Sequence, residues 1–281
     1  MATPATSSAS LTVGLPLFNS AQGDWTCHVG PLRFSNQSQA SKNNEHLTNN
    51  DYEDDTAGSI WGAAMAFAKY VQNHKNNTTT LFSGSIVELG SGTGIGGLSI
   101  AVTGAATSVV LTDLPSNLHI LEAAVKDNQV AVPQTTKVAV AALQWGSGTN
   151  GTEATEEARG KEETEETEET RKTGEIGEMG ETDASEDSKE HNTTKYDVVV
   201  AIDCIYCHTL HSLLAATAVR LCKQEGRILI VNELRWQDND KWWKETAEQE
   251  GLVLTSTVEL PSPPQIPRKV LMREYRIRGC P

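Results

Sequence analysis

Nowhere in the sequence does an apolar run reach 18 residues, so no segment reads as a membrane-spanning helix. No lysine or arginine precedes Arg33, which argues against a secretory leader with its positively charged start. The opening residues, MATPATSSASLTV, are Ser/Thr-rich and free of acids, a composition shared by short disordered tails and organelle transit peptides; the tail is the simpler reading. Cysteine is scarce. Cys27, Cys204, Cys207, Cys222 and Cys280 follow no disulfide framework and suit a reducing compartment, the cytoplasm first and the nucleus second. A basic excess is missing as well: 23 Lys+Arg stand against 37 Asp+Glu, net −14, which argues against a nucleic-acid groove lined by a broad basic face.

That acidity is concentrated in one place. Residues 146–195 hold 16 Asp+Glu and 6 Lys+Arg, so they account for −10 of the total and leave the remainder nearly balanced. The core of this stretch, KEETEETEETRKTGE, has no aromatic and almost no apolar residue and cannot build a core of its own. It reads as a disordered acidic insertion, with a role as a partner-binding tail as the functional alternative. Residues 1–24 read as a loose tail, and WTCHVGPLRFSNQ (25–37) as a short hairpin turning at Gly30-Pro31.

What is present in quantity is an alternation of buried-type strands and helices. SIWGAAMAFAKYVQNH (59–74) has helical spacing, with Ile60, Ala64, Phe67 and Val71 on one face and Ser59 as N-cap. Strands are expected at 85–90, 108–114, 137–145, 196–203, 226–234, 252–260 and 269–278, and helices at 94–104, 116–129, 208–224 and 238–250. The Val/Ile/Leu runs show little alternation, as in parallel strands covered on both faces, and the helices between them supply the crossovers. The last two strands are joined only by PSPPQIP (261–267), so the final pair should be antiparallel. The expectation is an α/β fold, a seven-stranded mostly parallel sheet whose last strand is antiparallel, helices on both faces, and a short N-terminal hairpin.

The first of those strands runs into a glycine turn, IVELGSGTGIGG (86–97), whose GTGIGG matches G-x-G-x-x-G between a strand and a helix. Asp113 closes the next strand, about 20 residues on, where an acid meets ribose hydroxyls. A dinucleotide and an adenosyl cofactor both fit those two features. Glu88, two positions before the first glycine, tells against a pyrophosphate and suits an amine or sulfonium, while a ligand carboxylate could use the helix start near Gly94. No Tyr-x-x-x-Lys pair suited to hydride transfer is found, and AIDCIY (201–206) places Asp203 and Tyr206 at the carboxyl edge of the fourth strand, where an open α/β sheet lines its ligand crevice.

Taken together, SIWGAA, VELGSGTG, LTDLP, LQWG, VVAIDCIY and NELR resemble the methyltransferase-16 family of seven-β-strand, S-adenosylmethionine-dependent protein-lysine methyltransferases. The likeness spans about residues 25–278 apart from the insertion, and its Asp-x-x-Tyr is far more selective than its glycine turn. It implies one Rossmann-like methyltransferase domain over 25–281, interrupted by 146–195. It also implies roles. Trp61 closes over S-adenosylmethionine; Gly90, Ser91 and Gly92 line it, with Glu88 beside them; Asp113 takes the ribose, with Leu114 next to it; Trp145 packs on the adenine; Ile202 gives a backbone contact; Asp203 and Tyr206 form the reacting pair. One departure stands out: Gly62 follows the early tryptophan where the family has an acid. Family members act on chaperones and translation elongation factors, so a lysine-bearing protein partner is implied, with the enzyme itself a monomer by default. A metabolite or nucleic-acid methyltransferase and a non-catalytic cofactor- or partner-binding module remain as alternatives.

One further pattern competes for the same residues. CIYCH (204–208) matches a c-type haem attachment, and with His211 it gives four zinc-type ligands: Cys204, Cys207, His208 and His211. Structural zinc sites draw ligand pairs from separated segments, and this run straddles a strand end already accounted for, so no metal is expected.

Overall fold

The computed structural model describes residues 13–19, 24–29, 31–35, 56–74, 81–146, 194–262 and 268–279. The acidic insertion lies outside the described residues apart from its ends, as do residues 1–12 and most of the polar stretch before residue 56. Three strands open the chain: β1 (Val13–Asn19), β2 (Asp24–Val29) and β3 (Leu32–Ser35), paired antiparallel in that order. The expected hairpin is thus β2–β3, but β1 corrects the reading of 1–24 as a tail throughout. Its sequence hides the strand because Pro16 interrupts it; the register slips between Gly14 and Leu17, which accommodates a residue with no N–H to give.

The main sheet has seven strands: β4 (Gly84–Leu89), β5 (Ala106–Asp113), β6 (Lys137–Ala142), β7 (Tyr196–Ile202), β8 (Cys222–Glu233), β9 (Leu252–Leu260) and β10 (Val270–Ile277). Their spatial order is β6-β5-β4-β7-β8-β10-β9. Pairs from β6 through to β8 are parallel, and β10 runs antiparallel to both β8 and β9. The chain thus builds outward from β4 in one direction, then returns to build outward in the other. The reversal falls between β4 and β7, which places a ligand crevice outside their carboxyl ends.

Among the helices that can be described in full, five α-helices cover the sheet: α1 (Gly62–Asn73), α2 (Ile95–Ala101), α3 (Leu118–Asn128), α4 (His211–Leu221) and α5 (Gln237–Gln249). Alternate residues of the central strands feed two cores. Ile86, Val109, Val198, Val200 and Val231 face α1–α3 and the inner residues of β3, Leu32 and Phe34. Val87, Leu89, Val199, Ile228 and Ile230 face α4 and α5. Burial on both sides is why those strands read as unbroken apolar runs.

Most element ends shift by a residue or more from expectation, and two of the shifts have a visible cause. Helix α1 begins at Gly62 with Trp61 in the N-cap position and no side-chain cap, so Ser59 does not cap it. Helix α4 stops at Leu221, three residues early, because Cys222 already pairs with Tyr196 as the first residue of β8, ahead of a register shift that restores pairing at Val198 and Arg227. Trp243 anchors the second core: it is fully buried, its Nε1–H donates to Tyr275 Oη at 3.0 Å, and it packs edge-on to His211 and Tyr275. Replacing it by alanine should cost about 3–5 kcal/mol of unfolding free energy, measured by urea denaturation.

Candidate functional site

At the carboxyl end of β4 the chain needs backbone angles open mainly to glycine: Gly90, Gly92 and Gly94 have φ of 63°, 52° and 75°. Gly94 is the left-handed residue from which α2 springs. Ser91 pins the turn to β5: its N–H donates to Thr112 O (2.9 Å), while its Oγ accepts from Thr112 N–H (3.0 Å) and donates to Glu88 O (3.2 Å). A β-carbon on Gly90 would lie 2.9 Å from Trp145 Cζ2 and 3.0 Å from Cys204 Sγ. The ring of Trp145 therefore rests against the bare face of this glycine.

Asp113, the last residue of β5, closes the other side. Its Oδ2 accepts Gly92 N–H at 2.8 Å, and its Oδ1 accepts Leu114 N–H and Asn117 Nδ2, each at 2.8 Å. Three donors fix the carboxylate and leave it one further acceptor position, on Oδ2. A hydroxyl of a vicinal diol can donate to that position, and a flat ring fits the wall made by Trp145 beside Gly90. These residues therefore suit the ribose and adenine of S-adenosylmethionine. Leu114 is exposed next to this carboxylate.

Glu88 meets a different geometry from the one expected of it. Rather than facing a ligand's amine, its carboxylate sits under the first turn of α2, with Oε2 accepting Gly97 N–H at 2.9 Å. Gly96 and Gly97 make room for it, since a β-carbon on Gly96 would meet Glu88 Oε1 at 2.2 Å and one on Gly97 would meet Oε2 at 2.8 Å. The side chain of Ile202 fills the same corner: a β-carbon on Gly96 would also lie 2.2 Å from Ile202 Cδ1. The Ile202 carbonyl accepts from Cys204 Sγ at 3.4 Å.

Beyond β7 lies Asp203, the one non-glycine residue with positive φ (59°) among the described residues. A left-handed residue is held by its surroundings, at a cost of about 1 kcal/mol or more. Here Asp203 N–H donates to Val231 O at 2.7 Å, and its carboxylate takes a fork from Arg235, Nη1 to Oδ1 at 2.9 Å and Nη2 to Oδ2 at 2.5 Å. Arg235 also reaches Glu233 Oε2 at 3.0 Å and lies 5.1 Å over the ring of Trp61, whose Nε1–H donates to Thr56 O. Burial pushes the Asp203 carboxyl above the usual carboxylate range, opposed by Arg235 and by Glu233 N–H. Tyr206 is exposed three residues on.

Sequence reading thus located two groups that the fold brings to one sheet edge: Gly90, Ser91, Gly92, Asp113, Leu114 and Trp145 at β4–β5, and Trp61, Asp203 and Tyr206 at β7–β8. It missed Asn117 and Arg235. The spacing Asp-x-x-x-Asn across a helix start could have flagged the first; the second was in view only as the end of NELR. The four zinc-type side chains diverge. Cys204 Sγ points to Leu89 O and Cys207 Sγ to Thr209 Oγ1, while His208 packs on Trp242 and His211 Nε2–H donates to Ile205 O. No group of three or more His, Cys, Asp and Glu converges among the described residues.

Burial raises the Glu88 carboxyl from 4.5 to about 7, with Gly97 N–H and Ser91 lowering it and the charge of Asp113 adding to the rise. The unfolded chain ionises near 4.5, whereas the folded protein keeps its proton until about pH 7. Folding therefore takes up a proton in that window, and stability falls as pH rises through it. Glu88→Gln should remove this dependence, gaining on the parent from pH 5 to pH 8 by on the order of 3 kcal/mol. Urea unfolding at four pH values measures the gain; a pH-independent difference would mean that the carboxylate folds ionised.

With this geometry established, comparisons with known proteins place the chain. A family model described as lysine methyltransferase matches residues 41–158 and 182–249, breaking within the acidic stretch and ending before β9. A Xenopus tropicalis protein named protein N-lysine methyltransferase METTL21A is 27% identical over 187 residues, covering 66% of this chain and 64% of that protein. Two proteins named EEF1A lysine methyltransferase 3, from Xenopus tropicalis and Mus musculus, are 26% and 25% identical over 180 residues, covering 64% of this chain and 58% and 56% of theirs. The chain spans less than two thirds of the length of each of these relatives. Since the model matches well over half of its residues, the chain belongs to the lysine methyltransferase family.

Proposed function

We propose that this chain is an S-adenosylmethionine-dependent methyltransferase that modifies lysine side chains of a protein substrate. The observation that carries the reading is the meeting at one sheet edge of a glycine turn clamped by Asp113 with the strained, Arg-paired Asp203. When bound, S-adenosylmethionine supplies a methyl group on a sulfonium, which an amine takes as the carbon–sulfur bond breaks and a neutral thioether leaves. Asp113 would hold the ribose hydroxyls, Gly90, Ser91 and Gly92 the backbone side of the donor, Trp145 and Leu114 the adenine. Trp61 would cover the site from the start of α1, and Ile202 would close the floor. Glu88, committed to Gly97, would shape the turn.

A free lysine amine titrates near ~10.4, so the reactive neutral form is scarce at pH 7. Burying its end between Tyr206 and Trp61 would lower that value and ease loss of the proton to water. Asp203 would orient the amine and Tyr206 would wall it in; alignment and desolvation then supply most of the rate. Among the described residues no helix is long and apolar enough to cross a membrane, and Cys204 and Cys207 are not in disulfides. Scarce cysteines with no disulfide framework favour a reducing compartment, the cytoplasm first.

Calorimetric titration with S-adenosylmethionine and, separately, NAD tests the cofactor. The methyl donor alone should bind, and Asp113→Ala should weaken it by about 10- to 100-fold through loss of charge-assisted hydrogen bonds. Binding of NAD instead would overturn the reading. Because two relatives carry EEF1A in their names, EEF1A is the first acceptor to test with tritiated donor, followed by lysate proteins. Label should appear on lysine, and Asp203→Ala should lower turnover by about 100-fold while leaving donor affinity within a few-fold. A variant that turns over normally would remove Asp203 from the reacting end.

A further inference from the structure

We infer that Arg235 is a positioning residue for Asp203: its guanidinium takes both carboxylate oxygens and ties them to the face of Trp61. The inference rests on the methyltransferase reading for its purpose but not for its geometry. Three separate elements meet at this one group. Asp203 follows β7, Arg235 follows β8, and Trp61 precedes α1. The fork is nearly dry, with the Asp203 side chain 5% exposed and that of Arg235 16%. A planar, bidentate cation with an aromatic ring over it is a use that lysine cannot reproduce.

The surroundings show what the pair must withstand. Asp203 is held left-handed, so its carboxylate is aimed by the backbone into the space that Arg235 fills. Glu233 of β8 presents a second carboxylate to the same guanidinium and is paired in turn with Arg268, ahead of β10, at 3.2 Å. Arg268, Glu233, Arg235 and Asp203 therefore form a chain of alternating charge running from the β9–β10 hairpin to the reacting end. Asp113 and Glu88, at the ends of β5 and in β4, add negative charge at neighbouring Cys204 together with Asp203. Burial and the charge of Glu233 push the Asp203 carboxyl toward its protonated form; the guanidinium opposes this.

A functional consequence follows. Both Asp203 oxygens already accept donors, Oδ1 from Arg235 and more weakly from Glu233 N–H, Oδ2 from Arg235. One acceptor position is left, on Oδ2, with which Asp203 can orient the substrate amine, while the ion pair disfavours its taking the proton. Asp203 is a fixed charge, and the proton goes to water. Arg235 acts through it, and through Trp61 it also links the covering residue to the reacting end.

The test needs no substrate. In full-length protein carrying carboxyl-labelled aspartate, the Asp203 resonance is identified by its loss in Asp203→Asn and followed through a pH titration by carbon NMR. Arg235→Met should raise its midpoint by about one pH unit or more, and Arg235→Lys should bring it part of the way back. If the Met variant does not fold, Arg235→Gln, which keeps a donor without the charge, should show the same rise. In the same samples S-adenosylmethionine should bind the Met or Gln variant several-fold more weakly than the parent, as Trp61 loses its partner. An unmoved midpoint in a folded variant overturns the inference. Absence of donor binding by the parent protein would instead count against the methyltransferase reading, leaving the carboxyl titration to decide the role of Arg235.

Discussion

The carboxylate of Asp113 is where the candidate site is fastened together. It takes N–H groups from Gly92 and Leu114 and the amide of Asn117, and its own backbone carbonyl accepts Leu143 N–H from the end of β6. The glycine turn after β4, the exit of β5, the start of α3 and the exit of β6 thus share one residue. Without that anchor the turn would consist of left-handed glycines with little to choose between conformations, since glycine surrenders its freedom only when something holds it. Ser91, bonded across to Thr112, is the second point of attachment.

Three acids lie close along this edge, and the fold manages each in a different way. Glu88 is buried under α2 and held near neutrality by desolvation, with a single N–H from Gly97. Asp113 is satisfied by hydrogen bonds from uncharged donors. Asp203 is matched by a full positive charge. Repulsion among them is limited because burial favours the uncharged form of Glu88 and the charge of Asp203 is matched by its partner. The arrangement explains why an acid could stand two residues before the glycine turn without making the site strongly anionic.

Most of the sheet was legible because central parallel strands have no polar face, so their sequences announce themselves as apolar runs; the Pro-rich link between β9 and β10 likewise betrayed the reversed last strand. Edge and boundary features were harder. Val13–Asn19 was obscured by Pro16, and the early start of β8 at Cys222 is set by pairing with Tyr196, a residue 26 positions away in sequence. The site divided in the same way. Residues defined by a position on a strand end, such as Asp113 and Asp203, could be placed. Arg235 could not, because its meaning depends on lying 32 residues from Asp203 in sequence and 2.5 Å from it in space. Glu88 was identified but its direction was not, since a period-two strand says which face a side chain takes and not which backbone N–H it will find there.

The compensation of these charges bears on the proposed chemistry. An unpaired carboxylate at the reacting end would attract a lysine ammonium and then stabilise it in the unreactive protonated form. Arg235 eases that trap, because an Asp203 whose charge is already matched by a guanidinium offers the incoming nitrogen less ionic reward for keeping its proton. The alternating chain from Arg268 to Asp203 has no net charge, so an amine entering beside Tyr206 and Trp61 meets apolar surface and fixed dipoles. Such a setting disfavours the ammonium relative to the amine by desolvation. On the proposed chemistry, the Arg-paired Asp203 would thus serve to hold the geometry in which a neutral nitrogen can react.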